Sequence, residues 1–156
     1  YEQRLLVLEN IFEEHGNGDI VKNHGKTFEK YLILLGVNKK EIKNRRINKS
    51  SQNFNLSLIE YSQKESTYFS LAMMGIIEER YSEMSKLISE KLLKNKWLTE
   101  ETLVHYKVHE KLDIEHAESF YHLISSKWLD KNIRNDIKKG LLFGNNLILN
   151  LYTDLL

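Results

Sequence analysis

Apolar residues along this chain return at intervals of three and four, and no stretch alternates apolar with polar residues between turn signals. That is the pattern of helices packed on one face, not of strands. The expected fold class is all-α. Leu5, Leu8, Ile11 and Phe12 form a stripe that stops at Gly16-Asn17-Gly18, predicting a first helix over about residues 2–15. Phe28, Tyr31, Leu32, Leu34 and Leu35 continue the period to Gly36, and Asn38 with Glu41 three residues later has the form of a capping box opening a short third helix. The polar run Lys43 to Asn53 reads as a loop, and Leu56 to Asn95 as helical throughout, divided near Ser62 to Ser66. Gly75 within it permits a kink or close packing. Trp97 to Glu101 supplies a loop and an N-cap, Thr99, for the helix that carries His109, Asp113 and His116. Asp130 opens a last helix rich in leucine, with Leu141, Leu142, Phe143, Leu147, Ile148, Leu151 and Leu155.

Composition narrows the functional classes. With 156 residues the expectation is one helical domain, residues 1–156, and because Tyr1 opens inside a helical pattern with no cap before it, a fragment of a longer chain. The balance of 23 Lys plus Arg against 22 Asp plus Glu leaves a net charge of +1, which gives no electrostatic case for nucleic acid or an anionic membrane. Zero cysteines exclude disulfides, thiolate ligands and cysteine nucleophiles, so any metal must sit on oxygen and nitrogen. Zero prolines permit long helices. The longest apolar stretch, Leu71 to Ile77 with one glycine inside it, is far short of a membrane span, and with no secretory segment the expected location is cytoplasmic.

The strongest chemical signal is His109-x3-Asp113-x2-His116. At roughly 100° per residue these three side chains fall within about 60° of one another on one helical face. Neutral imidazoles and an ionised carboxylate aimed from one rigid element suit a metal bound between helices, and we read this face as half of a dinuclear site. About three further ligands must come from elsewhere. Glu78 or Glu79, just after the apolar stretch, Glu13 or Glu14 at the end of the first helix, and His24 at the start of the second complete a set of six. His15 and His122 read as ordinary core or surface histidines. His105, one turn before His109, reads as support behind a ligand or as exposed, not as a ligand. Glu-Glu pairs such as Glu100-Glu101 are mostly solvated helix ends. Tyr61, Tyr68, Phe69, Met73, Met74 and Tyr81 could line a substrate cavity, although their spacing favours core. The leucine-rich last helix could serve a dimer face or a membrane surface, with core packing again favoured.

Leu8-Glu9-Asn10-Ile11-Phe12-Glu13-Glu14-His15-Gly16, followed by Asn23-His24 and Leu34-Leu35-Gly36-Val37, resembles the first metal-ligand segment of the heme-oxygenase-like diiron oxidases (iron-containing redox enzymes; TenA/PqqC-like fold). His109-x3-Asp113-x2-His116-Ala117-Glu118 is similar to their last ligand motif. The nearest likeness is to the group named for the chlamydial protein that associates with death domains (CADD), and it covers nearly the whole chain from Leu5 onward. The resemblance implies a helical bundle of about seven helices of which this chain lacks the first one or two, and Glu14, His24, Glu78, His109, Asp113 and His116 as ligands. Alignment without a gap selects Glu14; anchoring on Gly16 selects Glu13. The CADD group makes p-aminobenzoate at the expense of a tyrosine on its early helices, a region absent here. Its functional lysine has no clear match, since Ile88 stands near the expected place and Lys86 is the closest lysine. The metal site is thus carried over without its substrate.

The resulting expectation is a non-haem diiron enzyme, or an Mn/Fe one, that reacts with O2 and oxidises a small organic substrate or one of its own side chains, with p-aminobenzoate or folate-type cofactor biosynthesis as a candidate setting. Glu14 and His24 would hold one iron and His109 with His116 mainly the other, with Glu78 and Asp113 as bridges or chelators. The rival readings are a metal-free enzyme of the same fold and a non-catalytic helical interaction protein.

Overall fold

The computed structural model describes residues 2–153, with side chains from Arg4 onward. Leu155, expected on the last helical stripe, lies outside the described residues. Among these there are seven helices and no strand: α1 (Glu2–Glu14), α2 (His24–Leu34), α3 (Lys39–Asn44), α4 (Lys49–Lys64), α5 (Thr67–Lys94), α6 (Val104–Ser125) and α7 (Lys131–Thr153). The all-α expectation holds. The capping box at the start of α3 is formed, with Asn38 and Glu41 each satisfying the other's backbone N–H. Asp130 caps α7 by accepting from the N–H groups of Asn132 and Ile133.

Two boundaries differ from the sequence reading. The loop expected over Lys43 to Asn53 is confined to residues 45–48, because Asn48 accepts from the Ser51 N–H and starts α4 at Lys49. Thr99 does not cap α6. Its hydroxyl donates to the Glu101 carboxylate at 2.7 Å while its N–H donates to Thr102 Oγ1 at 2.9 Å, so the local side chains close a turn in place of a helix start, and α6 begins at Val104. The division expected near Ser62 to Ser66 falls at Glu65 and Ser66, between α4 and α5.

The chain forms two compact units. The first contains the residues up to Arg45 together with Tyr81–Leu112, and the second Arg46–Arg80 with Asp113 onward. In the first, Leu92, Leu98, Leu103 and Tyr106 make a buried cluster against which Tyr31, Tyr81, Ile88 and Leu93 pack. Ser82 of α5 donates to the Glu110 carbonyl of α6 at 2.9 Å in this unit. In the second, Phe69, Met73, Ile76, Phe120, Ile137 and Ile148 are buried, and Tyr61, Phe69 and Phe143 stack within 4.1–6.1 Å of one another. Of the aromatic residues of α4 and early α5, Phe69 is core as its spacing suggested, while Tyr61 and Tyr68 are half-buried.

Glycine sets the spacing of the second core. Gly75 lies so close to the Tyr121 ring that an added Cβ would stand 2.7 Å from it, which is close packing and not a kink. The buried line of α7 is Ile137, Gly140, Gly144 and Ile148, not the leucines that dominate its sequence; Leu142 is exposed. A Cβ on Gly144 would sit 2.6 Å from both Ile76 Cγ2 and the Met73 carbonyl oxygen. Backbone cannot yield there, so Gly144→Ala is expected to lower stability by about 1–3 kcal/mol, outweighing the ~1 kcal/mol alanine contributes as a helix former. A urea midpoint equal to or above the parent's would contradict this.

Near the end of α7, burial pushes the Tyr152 phenol up to about 12. The unfolded chain, with a phenol near ~10, gives up its proton first. Stability from this group is therefore complete below pH ~10 and is lost as pH rises toward the folded value. Tyr152→Phe should flatten the fall in melting temperature between pH ~10 and ~12; an unchanged slope would show that Tyr152 is not its source.

Candidate metal centre

Gly16 ends α1 immediately beyond Glu14 and turns the chain back. Gly16, Asn17 and Gly18 all have positive φ (74°, 55° and 84°), and Gly16 N–H to Glu13, Asn17 N–H to Phe12 and Asp19 N–H to Gly16 hold the turn. Asn23 then caps α2 by accepting from the Gly25 N–H at 3.0 Å, which makes His24 the first helical residue. The consequence is local: His24 Nδ1 arrives 2.7 Å from Glu14 Oε2. A lone pair on each of those atoms would repel at that distance, so a proton or a cation must lie between them.

His109 of α6 completes the group. Its ring stands edge-on to His24 at 4.4 Å and to Tyr81 at 5.1 Å. Glu14, His24 and His109 each offer one ligand atom, and these atoms all lie within 4.8 Å of one another. Ligand atoms on a single ion with ~2.1 Å bonds lie at most about 4.2 Å apart, so a 4.8 Å bound brings these three within a small adjustment of one cation, and one carboxylate with two imidazoles suits iron or manganese. His109 is buried and the His24 side chain is only 12% exposed, while Glu14, 39% exposed, forms the side of the group open to water.

The other three candidates belong to the second unit. Asp113 and His116, three residues apart on α6, are 0% and 1% exposed, and His116 Nδ1 lies 3.9 Å from Glu78 Oε2 of α5. Of the two acidic pairs left open by the sequence, the structure brings Glu14 to His24 and Glu78 to His116. Glu79 is engaged elsewhere, accepting from the Tyr121 hydroxyl at 2.6 Å. Burial, aided by that bond, pushes the Tyr121 phenol upward and keeps it a donor. His109 is grouped with Glu14 and His24 within the first unit.

His15 donates from Nδ1 to the Ile11 carbonyl at 2.7 Å and His122 is exposed, the ordinary roles expected of both. His105 is buried, not exposed. Its Nδ1 lies 2.8 Å from Thr27 Oγ1, and its ring is 4.6 Å from that of His109. Burial, then the adjacent His109 and His24 imidazoles, push its pKa down to about 3, so it is neutral near pH 7. The spacing of four before His109 was the available signal. Thr27 carried none, because its partner is 78 residues away.

A family model described as iron-containing redox enzyme matches residues 1–149, and the chain belongs to that family. Its helices are those of an all-α heme-oxygenase-like fold. The protein is accordingly an oxidoreductase of an iron-containing class. No curated protein and no solved structure matches the chain. No helix among the described residues is long and apolar enough to cross a membrane.

The return turn generates a direct test. A Cβ on Gly16 would meet the Asp19 carbonyl oxygen at 2.5 Å and the Asn23 nitrogen at 2.6 Å, whereas one on Gly18 would make only ordinary contacts with Phe12. Both positions carry the left-handed strain of about 1–3 kcal/mol for a non-glycine residue. Gly16→Ala should therefore destabilise clearly more than Gly18→Ala in urea unfolding, and equal losses would mean that the turn is not as tightly closed as described.

Proposed function

We propose that this chain is a non-haem diiron oxidase or oxygenase that uses O2 to oxidise a small organic substrate or one of its own side chains. The observation that supports the proposal most is the Glu14, His24 and His109 group, two shielded imidazoles and a half-exposed carboxylate whose donor atoms lie within 4.8 Å of one another, in a chain of an iron-containing redox family. In this reading those three hold one iron, and Glu78, Asp113 and His116 hold the second. Asp113 follows His109 by one turn of α6, about 6 Å of rise, a separation that puts successive ligand sets on one rigid element. Mixed imidazole and carboxylate donors also suit a manganese ion in one of the two places.

Bound iron would supply the electrons for reduction of O2, chemistry that no side chain here can perform. The protein's own part follows from its residues. His24 and His109 would bind the ion through neutral imidazole nitrogens. Glu14, Glu78 and Asp113 supply negative charge against the cations, and the burial of Asp113 and His116 excludes water from the reacting volume. O2 and a small molecule are the partners. A p-aminobenzoate or folate-type role is one candidate setting, since the resemblance carries over the metal site without its substrate.

Anaerobic titration of the apo protein with Fe(II) is expected to reach two ions per chain and to raise its melting temperature, the stabilisation being about 2.7 kcal/mol at a free metal concentration a hundredfold above Kd. His116→Ala should lose at least one of the two ions together with O2-dependent activity. His122→Ala, changed on an exposed face, should keep both. Fewer than one iron per wild-type chain at saturation, or equal behaviour of the two variants, would favour the interaction-protein reading.

A further inference from the structure

Thr27 follows His24 by three residues on α2, and its hydroxyl donates to the His24 carbonyl at 3.0 Å. A hydroxyl has one proton. Its second contact, 2.8 Å to His105 Nδ1, must therefore run the other way, with the imidazole N–H donating and Thr27 Oγ1 accepting. This fixes the tautomer of the neutral His105 ring. The ring is held on several sides, by His109 at 4.6 Å, Tyr106 at 5.0 Å and Phe28 at 5.1 Å. One oxygen atom thus ties the backbone of His24 to the turn of α6 that leads into His109.

The tie matters because the other restraints on the first turn of α2, the Asn23 cap and the Glu14 contact, both run to the α1–α2 side and leave Thr27 as its hydrogen bond to α6. The helix is 11 residues long and none of its residues is fully buried, so core packing alone leaves its N-terminus free to shift. A shift of about 1 Å at a ligand is enough to spoil a site with ~2.1 Å bonds. We propose that Thr27 and His105 are positioning residues that lock His24 against His109, so that the first metal place is formed before the ion arrives. This inference rests on the reading that Glu14, His24 and His109 hold a metal.

The test uses Co(II), added to the apo chain and followed by its d–d absorption and binding isotherm, with the apo melting temperature measured alongside. Wild type and Thr27→Ser, which keeps the hydroxyl, should share one affinity and one spectrum. Thr27→Val, nearly isosteric but unable to accept, and His105→Phe, which keeps the ring and loses Nδ1, should each weaken one Co(II) by about tenfold, or about 1.4 kcal/mol. Their d–d bands should shift without loss of an equivalent, and the double variant should be no weaker than either single one. A merely structural role would lower the apo melting temperature and leave the bands unchanged, and that result would overturn the proposal, as would failure of Thr27→Ser to preserve the wild-type spectrum. If His105→Phe lost a whole equivalent that Thr27→Val retained, His105 would be a ligand and the positioning role would be refuted. Wild type that bound no Co(II) would refute the metal reading and this inference with it. Normal binding by wild type and Thr27→Val alike would refute this inference alone.

Discussion

Carboxylates and imidazoles inside a helical protein have to meet a compensating charge or proton, since burying an isolated ion costs several kcal/mol even after relaxation. That constraint decides how the helices of this chain are turned. It is most visible on α1, where hydrophobicity alone would bury Leu5, Leu8, Ile11 and Phe12. All four are exposed instead, while Asn10 is buried and Glu14, one turn further along the same face, reaches His24. A helix that presents its polar edge inward and its apolar stripe outward breaks the ordinary rule of patterning. Such breaks are expected where a site, not the core, sets the orientation.

The same constraint explains which parts of the molecule were legible in the sequence. The face of His109, Asp113 and His116 could be read because a single helix carries all three and its period fixes their direction whatever else the fold does. Glu14 and Glu78 could be narrowed only to a pair each, since neighbours on a helix differ by about 100° and a small uncertainty in register exchanges them. Only the geometry of the return turn at Gly16 brings Glu14 to His24, and only the pairing of Glu79 with Tyr121 leaves Glu78 beside His116. For His105 the sequence left support behind a ligand and plain exposure both open, and burial removes the second, for a related reason. Whether an imidazole on a ligand-bearing face is solvated depends on what packs across from it, here Thr27, Phe28 and Tyr31 of another helix.

Helix starts show where local chemistry overrides pattern. Asn38, Asn48 and Asp130 each cap the helix that follows them. Thr99 had the same credentials on paper, with Glu100 and Glu101 behind it. Its hydroxyl has a nearer acceptor in Glu101, and with Thr102 Oγ1 taking the Thr99 N–H the segment closes on itself. The short polar side chains that favour caps also favour such turns, so sequence alone does not separate the two outcomes. In α7 the leucines drew the eye, yet the buried line runs through Gly140 and Gly144, because close approach of two helices is set by the smallest residues on the shared face.

Close approach is also what lets α5 and α6 work together. Gly75, Glu79 and Ser82 recur along one face of α5 at spacings of four and three. They meet the Tyr121 ring, the Tyr121 hydroxyl and the Glu110 carbonyl of α6 respectively. None of these contacts involves Glu78, Asp113 or a histidine, but each fixes the rotation of one helix against the other within its own unit. With rotation fixed, Glu78 beside Glu79 and Tyr81 beside Ser82 are delivered to His116 and His109 without any choice of their own. The ligand side chains then need little conformational search, and the ordering entropy of the donors is met during folding, not at binding. A metal centre of the kind proposed would draw its affinity from helix packing, through residues that never touch the ion.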